Sequence, residues 1–120
     1  MRIAIRHTTR YRFDQPPAHG LQRLRLRPKS TRGQTVQGWN MDVDGALVQL
    51  EYDDHNQNHT HLIALAPGAH LVTITCEGLV ETADTAGIVG PHTGFMPLWA
   101  FARPTALTRP GPRLRALAAS

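Results

Sequence analysis

Alternation of apolar and polar residues dominates the first two thirds of the chain. From Arg2 to Phe13 the odd positions are mostly apolar and the even positions are mostly arginine. Period two is the signature of a strand with one buried and one wet side. The same period recurs at Leu24–Arg27, Ala46–Tyr52 and His70–Glu81. Several short strands of this kind predict an all-β fold, an antiparallel β-sandwich of about six to seven strands.

The stretch Ala46–Leu65 predicts a central hairpin. Its first arm places four apolar side chains on one face: Ala46, Val48, Leu50 and Tyr52. Strict alternation then directs Glu51 to the opposite face. The polar run Asp53–Asn58 predicts the turn, because Asp and Asn accept left-handed backbone angles and bond their own main chain. The pair Asp44-Gly45 predicts a tight turn that leads into this hairpin.

A further strand is predicted between Val36 and Val43. Trp39, Met41 and Val43 are in step with one another, and Val36 is out of step with them. Gly38 lies between the two sets, and a glycine inside a strand often marks a bulge. We therefore predict a bulge at Gly38 that returns Val36 to the same face.

The chain changes character after Thr82. Glycines and prolines become frequent and no period is visible, which predicts an irregular C-terminal segment. The run Arg113–Ala119 contains good helix formers but is short for a stable helix. We predict a sandwich domain over residues 1–103 and a linker over residues 104–120. Four large apolar residues in this segment are predicted interface residues: Met96, Leu98, Trp99 and Phe101.

Composition narrows the class of protein. A chain of 120 residues fits one domain, and no apolar run of about 18 residues predicts a membrane span. Charges at Arg2 and Arg6 interrupt the region where a signal peptide would be apolar, so we expect a cytoplasmic protein without membrane contact. The net charge of +4 is spread along the chain, so neither nucleic acid nor another polyanion is singled out as a partner.

The densest basic feature is the arginine stripe of the first strand: Arg2, Arg6, Arg10 and Arg12. Charged residues are mostly exposed, so a solvated strand face explains the stripe. A dedicated anion site is the alternative. Exposed aromatic residues do not alternate with these arginines. The aromatic side chains on which bases stack in single-strand nucleic-acid binders are therefore missing from this face.

The single cysteine, Cys76, rules out an internal disulfide. It lies in step with Val72 and Ile74, which predicts a small buried core residue. A catalytic role would need a depressed thiol pKa and a positioned histidine, for which His59 and His61 are the candidates. We predict a structural role.

The hairpin turn carries the main cluster of potential metal ligands, His55, His59 and His61. On a strand His59 and His61 share a face, and Asp53 or Asp54 could supply a third ligand. The alternatives are a polar turn with unliganded histidines, an adventitious metal and an evolved site. We expect the first, with all three histidines exposed, so no metal or other cofactor is predicted.

Four stretches, in this order, resemble the N-terminal region of bacterial transglutaminase-like proteins, which are also described as transglutaminase-like cysteine peptidases. They are His7-Thr8-Thr9-Arg10-Tyr11-Arg12-Phe13, Leu24-Arg25-Leu26-Arg27-Pro28, Trp39 with Val43-Asp44, and Asp54-His55-Asn56-Gln57-Asn58. The last resembles D-x-F-G-N, with Asn56 in place of the aromatic residue and Gln57 in place of glycine. The closing Trp99–Leu107 resembles the segment that leads into the catalytic core.

The resemblance implies a β-sandwich placed before a papain-like catalytic domain that supplies Cys, His and Asp. The expected function is that of a non-catalytic accessory or interaction domain whose partner is the downstream catalytic domain of the same polypeptide. The parent protein would be a transglutaminase-like cysteine peptidase or acyltransferase. Two other classes stay open: a freestanding basic β-domain that binds a polyanion or a metal, and a self-contained hydrolase built on Cys76.

Overall fold

The structure is a computed structural model that describes residues 1–91 and 94–120. His92 and Thr93, in the glycine-rich stretch, lie outside the described residues. Strands account for 46% of the chain and helices for 9%, so the predicted all-β class is confirmed. The elements are β1 (Arg2–Arg12), β2 (Leu21–Leu24), β3 (Gln34–Asp44), β4 (Ala46–Asp53), β5 (His59–Leu65), β6 (Leu71–Thr82), α1 (Leu98–Phe101) and α2 (Pro112–Ala118).

Two antiparallel three-stranded sheets form the sandwich. The first sheet has the order β1-β6-β3 and the second sheet has the order β2-β5-β4. The core lies between them, where β6 contributes Val72, Ile74 and Cys76 and β5 contributes Ile63. Leu24 and Ala46 complete the buried cluster from the second sheet. The apolar face predicted for β6 is therefore the face that packs against the opposite sheet.

The predicted bulge in β3 is confirmed. The pairing of β3 with β6 shifts between Val36 and Gly38, so Val36 lies opposite Val80 and Trp39 lies opposite Gly78. Residues directly opposite in an antiparallel pair share a face. The shift therefore brings Val36 to the interior side of the first sheet.

The second strand differs from its prediction. β2 runs from Leu21 to Leu24, whereas alternation predicted a strand over Leu24–Arg27. Residues 25–28 leave the sheet after Leu24. Arg25 there donates from Nε to Asp54 Oδ2 at 2.6 Å, in the hairpin turn, and Pro28 has no N–H for a ladder. A contact with a distant turn replaces strand pairing here.

The Asp44-Gly45 turn leads into the hairpin as predicted, but it also carries the chain from one sheet to the other. β3, which ends at Asp44, belongs to the first sheet, and β4, which begins at Ala46, belongs to the second. Gly45 has φ +79, and a Cβ atom there would collide with the Leu71 carbonyl oxygen. Glycine is required at this crossing for both reasons.

The C-terminal segment lies outside both sheets. No residue described after Thr82 belongs to a strand, and every residue from 101 to 120 is exposed. α2 starts at Pro112, a residue suited to the first helical position, and extends for only seven residues. The radius of gyration is 18.7 Å, whereas a compact domain of this length has about 14 Å. The molecule is therefore a sandwich with an extended tail.

Candidate functional site

Asp54 organises the turn between β4 and β5. Its Oδ1 accepts the backbone N–H groups of Asn56 and Asn58, each at 2.9 Å. Its Oδ2 accepts the Asn58 amide at 3.2 Å and the Arg25 Nε at 2.6 Å. The backbone bond from Asn58 and the charge of Arg25 hold the pKa of Asp54 well below its usual range. With these partners Asp54 is a structural residue, not a free metal ligand.

In the same turn, Gln57 occupies the position at which the resembling motif has glycine, and its backbone is in the left-handed conformation. Gln57 has φ 57, inside the region that most side chains avoid. Its backbone N–H donates to the Asp54 carbonyl oxygen at 2.8 Å. Gln57 therefore adopts a left-handed backbone conformation that glycine would adopt without the same steric cost.

A bulge in β4 rearranges the faces of the hairpin. The pairing with β5 shifts between Val48 and Leu50, so Val48 lies opposite Ile63 and Leu50 lies opposite Leu62. The prediction that Ala46, Val48, Leu50 and Tyr52 share one face is therefore wrong. The extra residue reverses the alternation, and Leu50 and Tyr52 turn to the outer face.

The reversal carries Glu51 to the interior face, beside the histidines. Glu51 lies directly opposite His61, and Asp53 lies directly opposite His59. All four residues therefore share the face of Ile63. Strict alternation had directed Glu51 to the other side, and for that reason the sequence analysis did not include it among the candidate ligands.

The side chains of this face converge closely. The His59 Nε2 atom lies 3.1 Å from Glu51 Oε2, and the His61 Nε2 atom lies 3.6 Å from the same oxygen. Three potential ligand atoms, one each from Glu51, His59 and His61, lie within 4.8 Å of one another. On its other side, His59 Nδ1 lies 3.1 Å from Asp53 Oδ1.

Two of the three histidines expected to be exposed turn residues are not: His59 begins β5 and is half-buried, and the more buried of the two is His61. It is only 8% exposed, and burial lowers its pKa even though Glu51 acts in the opposite direction. His61 belongs to the strand β5 rather than to the turn, and it faces the sandwich interior next to Leu24. His55 is exposed, contacts the Asn56 amide at 3.2 Å and lies outside the cluster.

Cys76 occupies the core, as predicted. Cys76 is only 1% exposed, and burial raises the pKa of its thiol. A nucleophilic cysteine requires the opposite shift. His59 and His61, the partners considered for it, belong to the second sheet, whereas Cys76 lies opposite His7 and Met41 in the first. The arrangement does not favour a hydrolase built on Cys76.

The stretches that carry the family resemblance meet around residues 25–28. A cavity of about 410 Å³ between the sheets is lined by residues of three of them: His7 from the first stretch, Arg25, Leu26, Arg27 and Pro28 from the second, and Trp39 from the third. The Arg25–Asp54 ion pair joins the fourth. The four stretches of the resemblance therefore lie close together in space at this end of the sandwich.

Much of the predicted interface is exposed. Leu98 is 67% exposed, Trp99 is 64% exposed, and Met96 and Phe101 are also classed as exposed. Phe95, which the sequence analysis left out, is 95% exposed. Phe95, Met96 and Phe101 border a cleft of about 400 Å³ whose other wall includes Lys29 and the turn residues His55–Asn58. The apolar segment and the hairpin turn thus form one continuous surface.

A second apolar surface follows from the bulge in β4. The outer face of the second sheet carries four exposed apolar side chains: Leu21, Leu47, Leu50 and Tyr52. Alternation had assigned Leu50 and Tyr52 to the core. Their sequence signal is indistinguishable from that of core residues without knowledge of the bulge.

The arginine stripe lies on the outer face of the first sheet. Arg6 and Glu77 are paired at 3.0 Å, and Arg2 lies opposite Glu81. Acidic residues on the neighbouring strand therefore offset part of the basic charge. The solvated face predicted for these arginines fits this arrangement better than a dedicated anion site does.

The chain matches the family described as the bacterial transglutaminase-like N-terminal region, over residues 3–81. That match covers about two thirds of the sequence, so the chain belongs to this family and the resemblance is confirmed. No curated protein and no solved structure matches the chain. Among the described residues, no helix is long and apolar enough to cross a membrane.

Proposed function

We propose that the chain is the non-catalytic N-terminal accessory domain of a bacterial transglutaminase-like protein. Its partner is a papain-like catalytic domain with Cys, His and Asp, downstream in the same polypeptide. Membership of the N-terminal-region family supports this role. The parent protein is then a transglutaminase-like cysteine peptidase or acyltransferase, and the chain contributes binding surface rather than catalytic groups.

The observation that carries the proposal is the exposed apolar segment Phe95–Phe101. The sandwich core is already filled by Ile63, Val72 and Ile74, which are nearly inaccessible. The large apolar side chains of this segment therefore lie outside the core and are exposed. Contiguous exposed apolar patches on a folded domain mark interaction surfaces.

The position of this segment suggests how the partner docks. It adjoins the hairpin turn across the cleft, and Lys29 fixes that turn by donating from Nζ to the Asn56 carbonyl oxygen at 2.6 Å. Asp54 and Arg25 fix it from the other side. The docking surface thus combines the hairpin turn, which these contacts hold in place, with the apolar segment Phe95–Phe101. Residues 1–103 are the domain in this proposal, and residues 104–120 are the linker toward the catalytic core.

The test is substitution of Leu98 and Trp99 by serine in the polypeptide that includes the downstream core. We expect the double variant to lower the melting temperature and the activity of the core, because the apolar contact is lost. Val89→Ser is the matched control, since Val89 is also an exposed apolar residue outside the segment. Equal effects of control and double variant would contradict the proposal, and so would a polypeptide that encodes no such core.

A further inference from the structure

We propose that Glu51, His59 and His61 form a zinc site at the turn end of the β4–β5 hairpin. This inference is independent of the docking role, because it concerns the interior face of the hairpin and not the apolar segment. It rests on the positions of the three ligand atoms and on the environment of His59.

The spacing of the ligand atoms fits a tetrahedral ion. Zinc bound to histidine nitrogen and carboxylate oxygen at about 2.0–2.1 Å separates neighbouring ligand atoms by about 3.4 Å. The two separations to Glu51 Oε2 are 3.1 Å from His59 Nε2 and 3.6 Å from His61 Nε2. The atoms stand within 4.8 Å of one another, so small rotations of side chains suffice to close the site.

The surroundings of His59 also point to a cation. Both of its ring nitrogens face carboxylate oxygens at 3.1 Å, Nδ1 toward Asp53 and Nε2 toward Glu51. An imidazole that binds a metal through Nε2 keeps its one N–H at Nδ1. A metal at Nε2 satisfies the second contact. Asp53 then accepts the Nδ1–H, the carboxylate partner that metal-bound histidines commonly have.

The backbone holds this arrangement in place. His59 and His61 are two residues apart on β5, and Glu51 is directly opposite His61 on β4. Two strand-borne histidines and a cross-strand carboxylate require no loop rearrangement to meet. The donor set of two nitrogens and one oxygen is typical of zinc, and three protein ligands leave a fourth position for water or for a group of another molecule. The Glu51 side chain is 52% exposed, so that position is reachable.

The experiment is calorimetric titration of the metal-free chain with Zn²⁺ at neutral pH, repeated with Co²⁺, whose visible absorption reports tetrahedral coordination. We expect one ion per chain. The variants Glu51→Gln and His59→Ala should weaken binding by tenfold or more, and Asp53→Asn should weaken it by about tenfold to a hundredfold. Glu51 and His59 are only partly buried, so these variants keep the fold, as circular dichroism will check.

His55→Ala is the matched control, because His55 lies in the same hairpin but outside the cluster. It should bind zinc as tightly as the original chain does. Absence of one-to-one binding would overturn the proposal. Binding that survives both Glu51→Gln and His59→Ala would also overturn it. So would binding that is lost equally in His55→Ala, which would mean nonspecific coordination by surface histidines.

Discussion

At the scale of single residues, Asp54 links more of the molecule than any other polar group of the hairpin turn. It closes the turn through backbone bonds and fixes the segment after β2 through Arg25. Both contacts favour the ionised carboxylate, so the pKa of Asp54 is lowered in the folded chain. The stability of the turn is thus coupled to pH through Asp54.

The first prediction concerns the pH dependence of stability. An aspartate with a lowered folded-state pKa is stabilising above the ordinary value, about 3.9, and loses that contribution as pH falls toward the folded value. The free energy of unfolding should therefore decrease as the pH drops below about 4. In Asp54→Asn this part of the decrease should disappear, and the variant should be less stable at neutral pH. Urea unfolding at several pH values measures both effects, and identical profiles would contradict the assignment.

The second prediction concerns Cys76. Replacement by serine places a hydroxyl among Val72, Ile74 and Ile63, and an unpaired buried hydroxyl costs about 1–3 kcal/mol. Cys76→Ser should lower the free energy of unfolding by that amount, and Cys76→Ala should show what the loss of volume alone costs. Denaturant titration measures the difference. Rapid alkylation of the native thiol at neutral pH would show instead that Cys76 is accessible and ionised.

At the scale of elements, alternation predicted the strands well where both faces of a strand are regular. It identified the buried face of β6 and the inward face of β1, although no β1 residue is fully buried and His7 and Tyr11 on that face are exposed. It also placed the β3 bulge, because Val36 is visibly out of step. It failed at β4, where the pairing register shifts between Val48 and Leu50. Apolar residues lie on both sides of the shift, so the sequence gives no sign that the faces change there. Glu51 was missed for that reason. Both bounds predicted for β2 were wrong: the strand begins at Leu21 rather than Leu24, and it ends at Leu24, after which Arg25 bonds to Asp54 instead of pairing in the sheet.

The third prediction concerns the crossing between the two sheets. Gly45 and Gly68 both have positive φ, +79 and +75, but only at Gly45 would a Cβ collide, with the Leu71 carbonyl. Gly68→Ala should cost about 1–2 kcal/mol for the left-handed backbone alone. Gly45→Ala should cost clearly more, because the turn and the β6 backbone at Leu71 must move apart to admit the methyl group. Thermal unfolding of both variants measures this, and equal losses would mean that the crossing tolerates a side chain.

At the scale of the whole molecule, the chain consists of a complete sandwich and a tail that the sandwich does not cover. The family match ends at residue 81, next to the end of β6 at Thr82. Beyond it the chain holds exposed apolar groups and two short helices, and a seven-residue helix is marginal without tertiary contacts. Sequence alone predicted this irregular segment. It could not predict that the segment would adjoin the hairpin turn, because that depends on the path of the chain in space.

The most direct test of the docking account is hydrogen exchange of residues 105–119, measured in this chain by itself and in the polypeptide that includes the downstream core. By itself the segment should exchange rapidly, because all its residues are exposed and its helix α2 is only seven residues long, which is marginal without tertiary contacts. With the core present, it should become protected together with Leu98 and Trp99, while β6 stays protected in both. Strong and equal protection of the segment in both proteins would contradict the account, since the tail would then belong to the sandwich.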